Sequence, residues 1–481
     1  MKIRIITSLI LILLLMPILV SCAGITSHSS DTEGAVPQTT APITETVPIP
    51  EDETVYRHTG NPDYPIMAKA YLKALPDRDY NGATFFISSP STGLFDPSEI
   101  HYISETIEER NSLVEEKYNI NIEVAKTDAA TMYEEASKAS LAGMYYTNLM
   151  CIPFAEVGNF DIGGLLTNLR SLPLLDLSMP YFNQSSVKAL SVGYRTLGVA
   201  GEASPVTDLP CVIYNKAIAD SIGLSDMYET ALDGELTWDV FLSYMTRCGT
   251  TDSYTSAVLK GDDTYDYIFK SLGENFLRSS ALSIPSAGVV RYSMDWAATY
   301  ARAMLDSGSA LGITKDNAIT AFNEGKALFT VGRIGDLDLY RNSNIQIGIL
   351  PMPKRNADSP YRSAVSGNGL VMTVPNGTTN SEMASLVLSA LNAASYGYIS
   401  ETVVDYLHAT ALPDNRSADI LDVIVRSAVY DLSTAIEVTS PSVLALKENI
   451  RSIIEAGDFS SYDAIISAVD LDMAQRFPLK Y

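Results

Sequence analysis

Hydrophobic and polar residues divide the chain into three zones. An apolar run covers 5–20, the stretch 23–58 is mainly polar and poor in large apolar residues, and from residue 59 onwards apolar residues recur at the spacings of strands and helices. The first zone begins with Lys2 and Arg4, and a cationic start followed by an apolar run is typical of a secretory signal. The run is shorter than the about 20 apolar residues that cross a bilayer comfortably. We therefore expect 1–21 to be a signal peptide.

The first part of the third zone alternates between strand and helix patterns. An apolar run over 82–89 predicts a buried strand, and 104–118 places Ile107, Val114 and Tyr118 on one side of a helix. Residues 120–124 then alternate between apolar and polar, which predicts a second strand. A strand, a helix and a strand of these lengths predict a parallel βαβ unit, and so a fold of the α/β class.

The same patterns continue along the chain. They predict the following strands and helices: a helix over 132–143, strands over 148–154 and 211–214, a helix over 217–222, a helix starting at Thr237, a strand after 325, a strand over 345–350, a helix over 383–394, and helical spacing from 420 to 468.

The polar zone 23–58 is rich in Thr, Ser, Pro, Glu and Asp and poor in large apolar residues. Such a segment buries too little apolar surface to offset its ordering entropy. With residue 22 it is predicted to form a disordered linker over 22–58. As a flexible coil, it would span roughly 30–35 Å.

The end of the apolar run carries a second pattern. Leu19-Val20-Ser21-Cys22, followed by two small residues, resembles the lipobox of bacterial lipoproteins. The resemblance implies cleavage before Cys22, a diacylglycerol thioether on its sulfur and acylation, as by palmitate, of its new amino group. Several acyl chains would hold the protein at the extracytoplasmic face of the cell membrane. The alternative is an ordinary signal peptide with an incidental cysteine.

Charge and cysteine content narrow the class of protein further. The formal net charge of the 481-residue chain is -24, which argues against nucleic acid as a partner and against a basic contact with lipid headgroups. With Cys22 lipidated, three cysteines remain, so a disulfide framework is not expected. Cys151 and Cys211 lie in apolar runs and are expected to be small buried side chains.

Seven segments in collinear order resemble bacterial extracellular solute-binding proteins of family 1, the maltose-binding-like proteins of ABC importers. They are ETIEERNSLVEEKYNINIEV, LLTNLRSLPLLDLSMPYF, DLPCVIYNKAIADSIGL, GELTWDVFLSYM, AFNEGKALFTVGRIGDL, IQIGILPMPKRNADSPYRS and DILDVIVRSAVYDL.

The resemblance implies a two-lobed periplasmic-binding-protein-like fold of type II, with a ligand cleft and a hinge between the lobes. It implies a first lobe over 59–205, a second over 206–340, a return to the first over 341–400 and C-terminal helices of the second over 401–481. Ligands of open α/β sheets lie beyond the carboxyl ends of strands, so the cleft is expected at the loops there.

Carried over residue by residue, the resemblance gives six candidate ligand-binding residues, from the loops after two strands, the first crossover and a later turn. They are Ser89, Ser91, Phe154, Glu156, Asp208 and Arg333. Sugar-binding members of the family often carry an aromatic residue where this chain has Arg333, and this departure argues against a maltose-like ligand.

The sequence holds four His and none of the motifs HExxH, GxSxG, paired CxxC or a Walker loop. We therefore expect that the protein binds no metal and no cofactor and is not an enzyme. The many acidic residues nevertheless leave open the alternative of a glycoside hydrolase that uses two carboxylates. The resemblance implies a monomer that binds a small solute, by analogy a carbohydrate, and delivers it to ABC permease subunits. The alternatives are a lipid-anchored sensor or scaffold without transport and, behind it, a surface glycoside hydrolase.

Overall fold

Two separate β-sheets, both covered by helices, form the framework of the protein. The computed structural model describes residues 63–478, apart from 98–102, 205–207, 250–254, 281, 290, 309, 341–344, 413 and 415. These residues belong to one compact unit over Tyr56–Tyr481. The predicted signal peptide 1–21 and linker 22–58, with the predicted lipidation site Cys22, lie outside the described residues.

The helices occupy more of the chain than the strands. Their bounds are Tyr64–Ala74 (α1), Ser104–Tyr118 (α2), Ala129–Ala142 (α3), Val157–Ile162 (α4), Gln184–Ala189 (α5), Lys216–Ser221 (α6), Met227–Leu232 (α7), Trp238–Gly249 (α8), Gly261–Ser271 (α9), Arg291–Asp306 (α10), Lys315–Asn323 (α11), Ser381–Ala394 (α12), Tyr398–Ala411 (α13), Ser417–Arg426 (α14), Leu432–Ile436 (α15), Pro441–Ala456 (α16) and Tyr462–Arg476 (α17). Short 3₁₀ helices cover Phe154–Glu156, Leu169–Ser171, Ile334–Tyr340 and Glu437–Thr439.

The strands are short. Their bounds are Ala83–Ser89 (β1), Ile120–Lys126 (β2), Leu149–Pro153 (β3), Ser191–Val192 (β4), Arg195–Thr196 (β5), Pro210–Asn215 (β6), Thr255–Lys260 (β7), Leu277–Arg278 (β8), Ser286–Ala287 (β9), Ala310–Ile313 (β10), Ala327–Arg333 (β11), Ile347–Leu350 (β12), Ser363–Ala364 (β13), Leu370–Thr373 (β14) and Ala428–Val429 (β15).

The first sheet has the strand order β14-β3-β1-β2. Strand β1 is parallel to β2 and to β3, which confirms the predicted βαβ unit. Its helix α2 has the predicted bounds, and Asn119 ends it in the left-handed conformation with φ 48°. Strand β14 is antiparallel to β3, with Val371 opposite Ile152. All residues of α12 from Met383 onwards are buried against this sheet and its neighbouring helices.

The second sheet has the order β10-β7-β11-β6-β12. Strand β7 is parallel to β10 and β11, whereas β6 runs antiparallel to both of its neighbours, β11 and β12. Trp238 at the start of α8 is 1% exposed and packs edge-to-face on Phe241, so it belongs to the core of this half. The predicted α/β class is confirmed.

The chain passes from the first sheet to the second between β3 and β6, and it returns between β12 and β14. The lobe boundaries over 59–205, 206–340, 341–400 and 401–481 remain a prediction, with one amendment. Within 341–400, β12 is hydrogen-bonded to β6 of the second sheet, so that strand belongs with the second half. The long C-terminal helical segment is interrupted by β15 and by the left-handed Gly457 that ends α16.

Cys151, Cys211 and Cys248 are buried, as expected for the first two, and none of them forms a disulfide within the described part of the chain. Within the ranges that the structure describes, no helix combines the length and the apolar character that a membrane span needs.

Candidate functional site

Arg333 and Asp208 form the centre of the candidate site. Arg333 is the last residue of β11, where the antiparallel register places it opposite Pro210, the first residue of β6. Asp208 lies two residues before that strand, so the two side chains meet at one edge of the second sheet. Nη1 of Arg333 lies 3.0 Å from Oδ1 of Asp208, and the side chains are 18% and 20% exposed. The pair is therefore largely buried but still open to solvent. The sequence placed Arg333 in a turn, whereas it ends a strand.

Two further side chains complete this cluster. Nε of Arg333 donates a hydrogen bond of 3.2 Å to the hydroxyl of Tyr267 on α9. The hydroxyl of Ser366 donates to Oδ2 of Asp208. Neither Tyr267 nor Ser366 was predicted from the sequence. One sequence feature could have indicated Ser366 as a site residue. It belongs to the short stretch of small and polar residues Ser366-Gly367-Asn368-Gly369, which directly precedes an apolar strand.

The loop that carries Ser366 also contacts the first sheet. The amide of Ala155 donates to the carbonyl oxygen of Gly367 at 3.0 Å, and the amide of Phe154 donates to that of Gly369 at 2.7 Å. A Cβ on Gly367 would lie 2.9 Å from the Cβ of Ala155, so this approach requires glycine. The loop thus joins the carboxyl end of β3 to the Asp208–Arg333 pair.

Phe154 and Glu156 therefore lie near the cluster, in the 3₁₀ turn that follows β3. The ring of Phe154 is fully buried and packs edge-to-face on Tyr430, with ring centroids 5.1 Å apart. The ring of Phe154 therefore packs in the core beside the site and exposes no face to a ligand. The carboxylate of Glu156 accepts a 2.6 Å hydrogen bond from Nδ2 of Asn159 and is partly exposed.

Ser89 and Ser91 lie at the end of β1. Because β1 and β3 are parallel neighbours, this is the same edge of the first sheet as Phe154. The buried Ser89 hydroxyl donates a hydrogen bond of 2.6 Å to the carbonyl oxygen of Ser91. The proton of this hydroxyl is therefore engaged within the loop. Ser91 is exposed. The structure thus brings these two serines to the same end of the first sheet as Phe154.

The cluster contains the guanidinium of Arg333, the carboxylate of Asp208 and the hydroxyls of Tyr267 and Ser366. It lies where the second sheet approaches the carboxyl end of β3 in the first sheet. Such a set hydrogen-bonds hydroxyl-rich molecules, because it supplies donors and acceptors in fixed positions. Among the described residues, no group of three or more His, Cys, Asp and Glu side chains is placed to hold a metal ion.

No protein-family model matches the sequence, and no match to a curated protein was found. Several solved structures do match. The cyclic α-maltosyl-1,6-maltose-binding protein of Arthrobacter globiformis is 14% identical with a TM-score of 0.58, over 82% of this chain and 99% of the other. A cyclo/maltodextrin-binding protein complexed with maltotetraose is 12% identical with a TM-score of 0.57, over 82% of this chain and 98% of the other.

A third match is the galacto-N-biose/lacto-N-biose I-binding protein of an ABC transporter of Bifidobacterium longum, in complex with lacto-N-biose. It is 12% identical with a TM-score of 0.55, over 84% of this chain and 99% of the other. At these identities the likeness concerns the fold. The predicted resemblance is confirmed at that level: the chain has the two-lobed type II periplasmic-binding-protein fold of maltose-binding-like proteins.

Proposed function

We propose that this protein is a lipid-anchored, extracytoplasmic solute-binding protein of an ABC importer, which captures a sugar or oligosaccharide and delivers it to a permease. The observation that carries the proposal is the largely buried Asp208–Arg333 pair, which lies between two sheets in a fold shared with sugar-binding proteins. The lipobox-like Cys22 and the polar linker support the anchor.

The geometry of the pair suits a binding site. Each side chain orients the other, and Tyr267 and Ser366 hold the outer atoms, so little conformational entropy remains to be lost when a ligand binds. Closure of the lobes would remove residual water from groups that are still about one-fifth exposed. Hydrogen bonds to charged groups contribute about 1.5–3 kcal/mol each in such surroundings.

The ligand is expected to be held mainly through its hydroxyls. Arg333 occupies a position where sugar binders often stack an aromatic ring, and Phe154 is buried in the core. Stacking on a sugar face therefore has less support here than polar contacts. We propose Ser91 and Glu156 as further contacts at the rim, because both are at least partly exposed at the edge of the first sheet.

The experiment is a ligand screen with the full chain purified in mild detergent. We expect one member of a panel of neutral oligosaccharides, uronic acids and peptides to raise the melting temperature. At a hundredfold excess over Kd, the stabilisation should reach about 2.7 kcal/mol. X-ray scattering should then show a smaller radius of gyration, because the lobes close around a hinge.

Two results would contradict the proposal. The first is a panel that gives no shift. The second is a ligand that binds equally well to Asp208→Asn and to the parent protein. Chromatography of the recovered ligand separates binding from hydrolysis, since a binding protein returns its ligand unaltered.

A further inference from the structure

A cavity of about 460 Å³ lies away from the six candidate residues, none of which lines it. One wall comes from segment 180–204, which includes Glu202, and from Tyr64 at the start of α1. The other wall comes from the beginning of α13, the end of α14 and Tyr430. Its walls thus belong to chain segments that the sequence assigns to different lobes. The volume lies in the range of about 300–1,000 Å³ that small-molecule sites occupy.

The charges around the cavity are unbalanced. Among the described residues that line it, Glu202, Glu401 and Asp422 are acids and Arg426 is the one base. Nε of Arg426 lies 2.8 and 2.7 Å from the two carboxylate oxygens of Asp422, and Nη2 donates to the hydroxyl of Tyr64. The guanidinium is therefore already committed to Asp422.

No cationic side chain of the described residues bonds Glu202. Its Oε2 accepts a hydrogen bond of 3.2 Å from the amide of Gly397 and one of 3.1 Å from the hydroxyl of Ser400. Burial raises the pKa of Glu202, and the hydrogen bonds from Ser400 and Gly397 and the nearby charge of Arg426 offset this only in part. A cation that entered the cavity would supply the missing partner.

Aromatic rings make up much of the remaining wall. Tyr64 and Tyr396 pack edge-to-face with centroids 5.7 Å apart. Tyr430 is 2% exposed, and its buried hydroxyl has no hydrogen-bond partner among the residues that the structure describes. Aromatic faces beside a carboxylate attract ammonium groups, because the ring quadrupole and the charge act in the same direction.

We propose that this cavity is a second binding site, separate from the Asp208–Arg333 cluster, and that it takes a small organic cation of the alkylammonium class. Glu202 provides the counter-charge, and the ring of Tyr396 contacts the alkyl groups, since the guanidinium of Arg426 already lies over the ring of Tyr64, 5.5 Å from its centroid. An anion would meet the carboxylate of Glu202 and an arginine that is already paired with Asp422, and a neutral polyol would leave Glu202 without its charge partner. The proposal does not depend on the identity of the transported solute.

The test is isothermal titration of the full chain in detergent with tetramethylammonium, choline and putrescine, and with glycerol as the neutral probe. We expect at least one cation to bind and glycerol not to bind. Glu202→Gln removes the charge but keeps the shape, and it should raise the Kd for that cation at least tenfold. Glu116→Gln, at an exposed position on α2, matches the change in net charge and should leave the Kd unchanged.

Two further variants keep the proposal testable if Glu202→Gln folds poorly. Val425→Phe fills part of the cavity and should abolish cation binding, whereas Asp208→Asn should leave it intact. The proposal is overturned if no cation in the panel binds. It is equally overturned if Glu202→Gln and Val425→Phe both bind like the parent protein, or if Asp208→Asn alone removes binding, which would place the cation in the other cluster.

Discussion

Lys216 and Asp414 lie almost 200 residues apart in sequence, yet Nζ of Lys216 is 2.7 Å from Oδ2 of Asp414. The hydroxyls of Tyr228 and Ser417 also donate to this carboxylate. One carboxylate thus ties α6 and α7, beside the second sheet, to the start of α14 in the C-terminal helical segment.

The first prediction concerns the stability that this carboxylate provides. Burial by itself would raise the pKa of Asp414, but the hydrogen bonds from Lys216 and Ser417 outweigh it and hold the pKa below its usual value. The ionised Asp414 carboxylate therefore contributes fully to the free energy of unfolding above about pH 4. This contribution is lost as the pH falls through the lowered pKa of the folded state. Asp414→Asn should cost about 1–3 kcal/mol of unfolding free energy at pH 7, and the cost should shrink below pH 4.

Urea unfolding at a series of pH values measures this difference. The exposed Asp233→Asn serves as the control and should change stability by about 0.5 kcal/mol or less. A cost for Asp414→Asn that stays constant down to pH 3 would show that the ionised carboxylate is not its source.

The second prediction concerns ligand affinity at the candidate site. Once a ligand is identified, Asp208→Asn and Arg333→Met should each weaken its binding at least tenfold, which is about 1.4 kcal/mol. The double variant should lose less than the sum of the two losses, because the side chains act as a pair. Titration calorimetry of all three variants supplies the cycle.

The control for this cycle is an exposed ion pair of the same kind. Arg416 lies 3.1 Å from Glu229 with both side chains largely in solvent, so Arg416→Met should leave the affinity unchanged. Equal losses from Arg416→Met and Arg333→Met would point to a general effect of charge rather than to contact with the ligand.

The third prediction compares two glycines in the left-handed region. Gly397, with φ 69°, precedes α13, and a Cβ there would lie 2.3 Å from Cγ of Tyr64. Gly223, with φ 72°, has open space around the corresponding position. Gly223→Ala should therefore cost only the backbone strain of about 1–2 kcal/mol. Gly397→Ala should cost clearly more, since the ring of Tyr64 must move.

Thermal and urea unfolding of the two variants test this difference. Equal losses of stability would mean that the Tyr64 ring moves without cost. Cation titration adds an independent readout, because Gly397 also donates the hydrogen bond to Glu202. Gly397→Ala is expected to weaken cation binding, and Gly223→Ala is not.

The fourth prediction concerns Cys22. If it carries the proposed lipid, Cys22→Ser should move the protein from the membrane fraction of the producing cells to the soluble extracytoplasmic fraction. Intact-mass analysis of the parent protein should show cleavage before Cys22 and added acyl chains. Ala23→Ser changes a neighbouring small residue and should leave the protein in the membrane fraction. An unlipidated parent protein would contradict the proposed anchor.

Local patterns predicted the elements well, because they depend on residues close in sequence. Helix α2 was predicted from one apolar side, and Ile107, Val114 and Tyr118 are all fully buried. The same pattern did not reveal Arg110, which is also buried on α2. Its Nη2 donates to the carbonyl oxygen of Leu94 at 2.8 Å, and burial lowers its pKa to about 9. The buried guanidinium of Arg110 is hydrogen-bonded by the backbone of a loop that is distant in sequence. The spacing of apolar residues along α2 contains no information about that contact.

The candidate site shows the same limit. Asp208 and Arg333 were named through a family resemblance, and the antiparallel register of β6 and β11 explains why they meet. Tyr267 and Ser366 were missed, because each lies in a segment whose local pattern indicates only a helix or a loop. Their part in the site follows from strand pairing over long distances, which sequence spacing does not determine.

The antiparallel contact of β14 with β3 sets a condition on how the chain can fold. The Thr373 hydroxyl donates to the backbone of Met150, 223 residues earlier, so β3 lacks its outer partner β14 until most of the polypeptide has been made. Contacts of such sequence separation are slow to form, because a large loop must close first. A ribosome or a translocation channel that releases the chain from its amino end would therefore hold an unfinished sheet with an open edge for most of synthesis, and holdase chaperones would find their binding surface there.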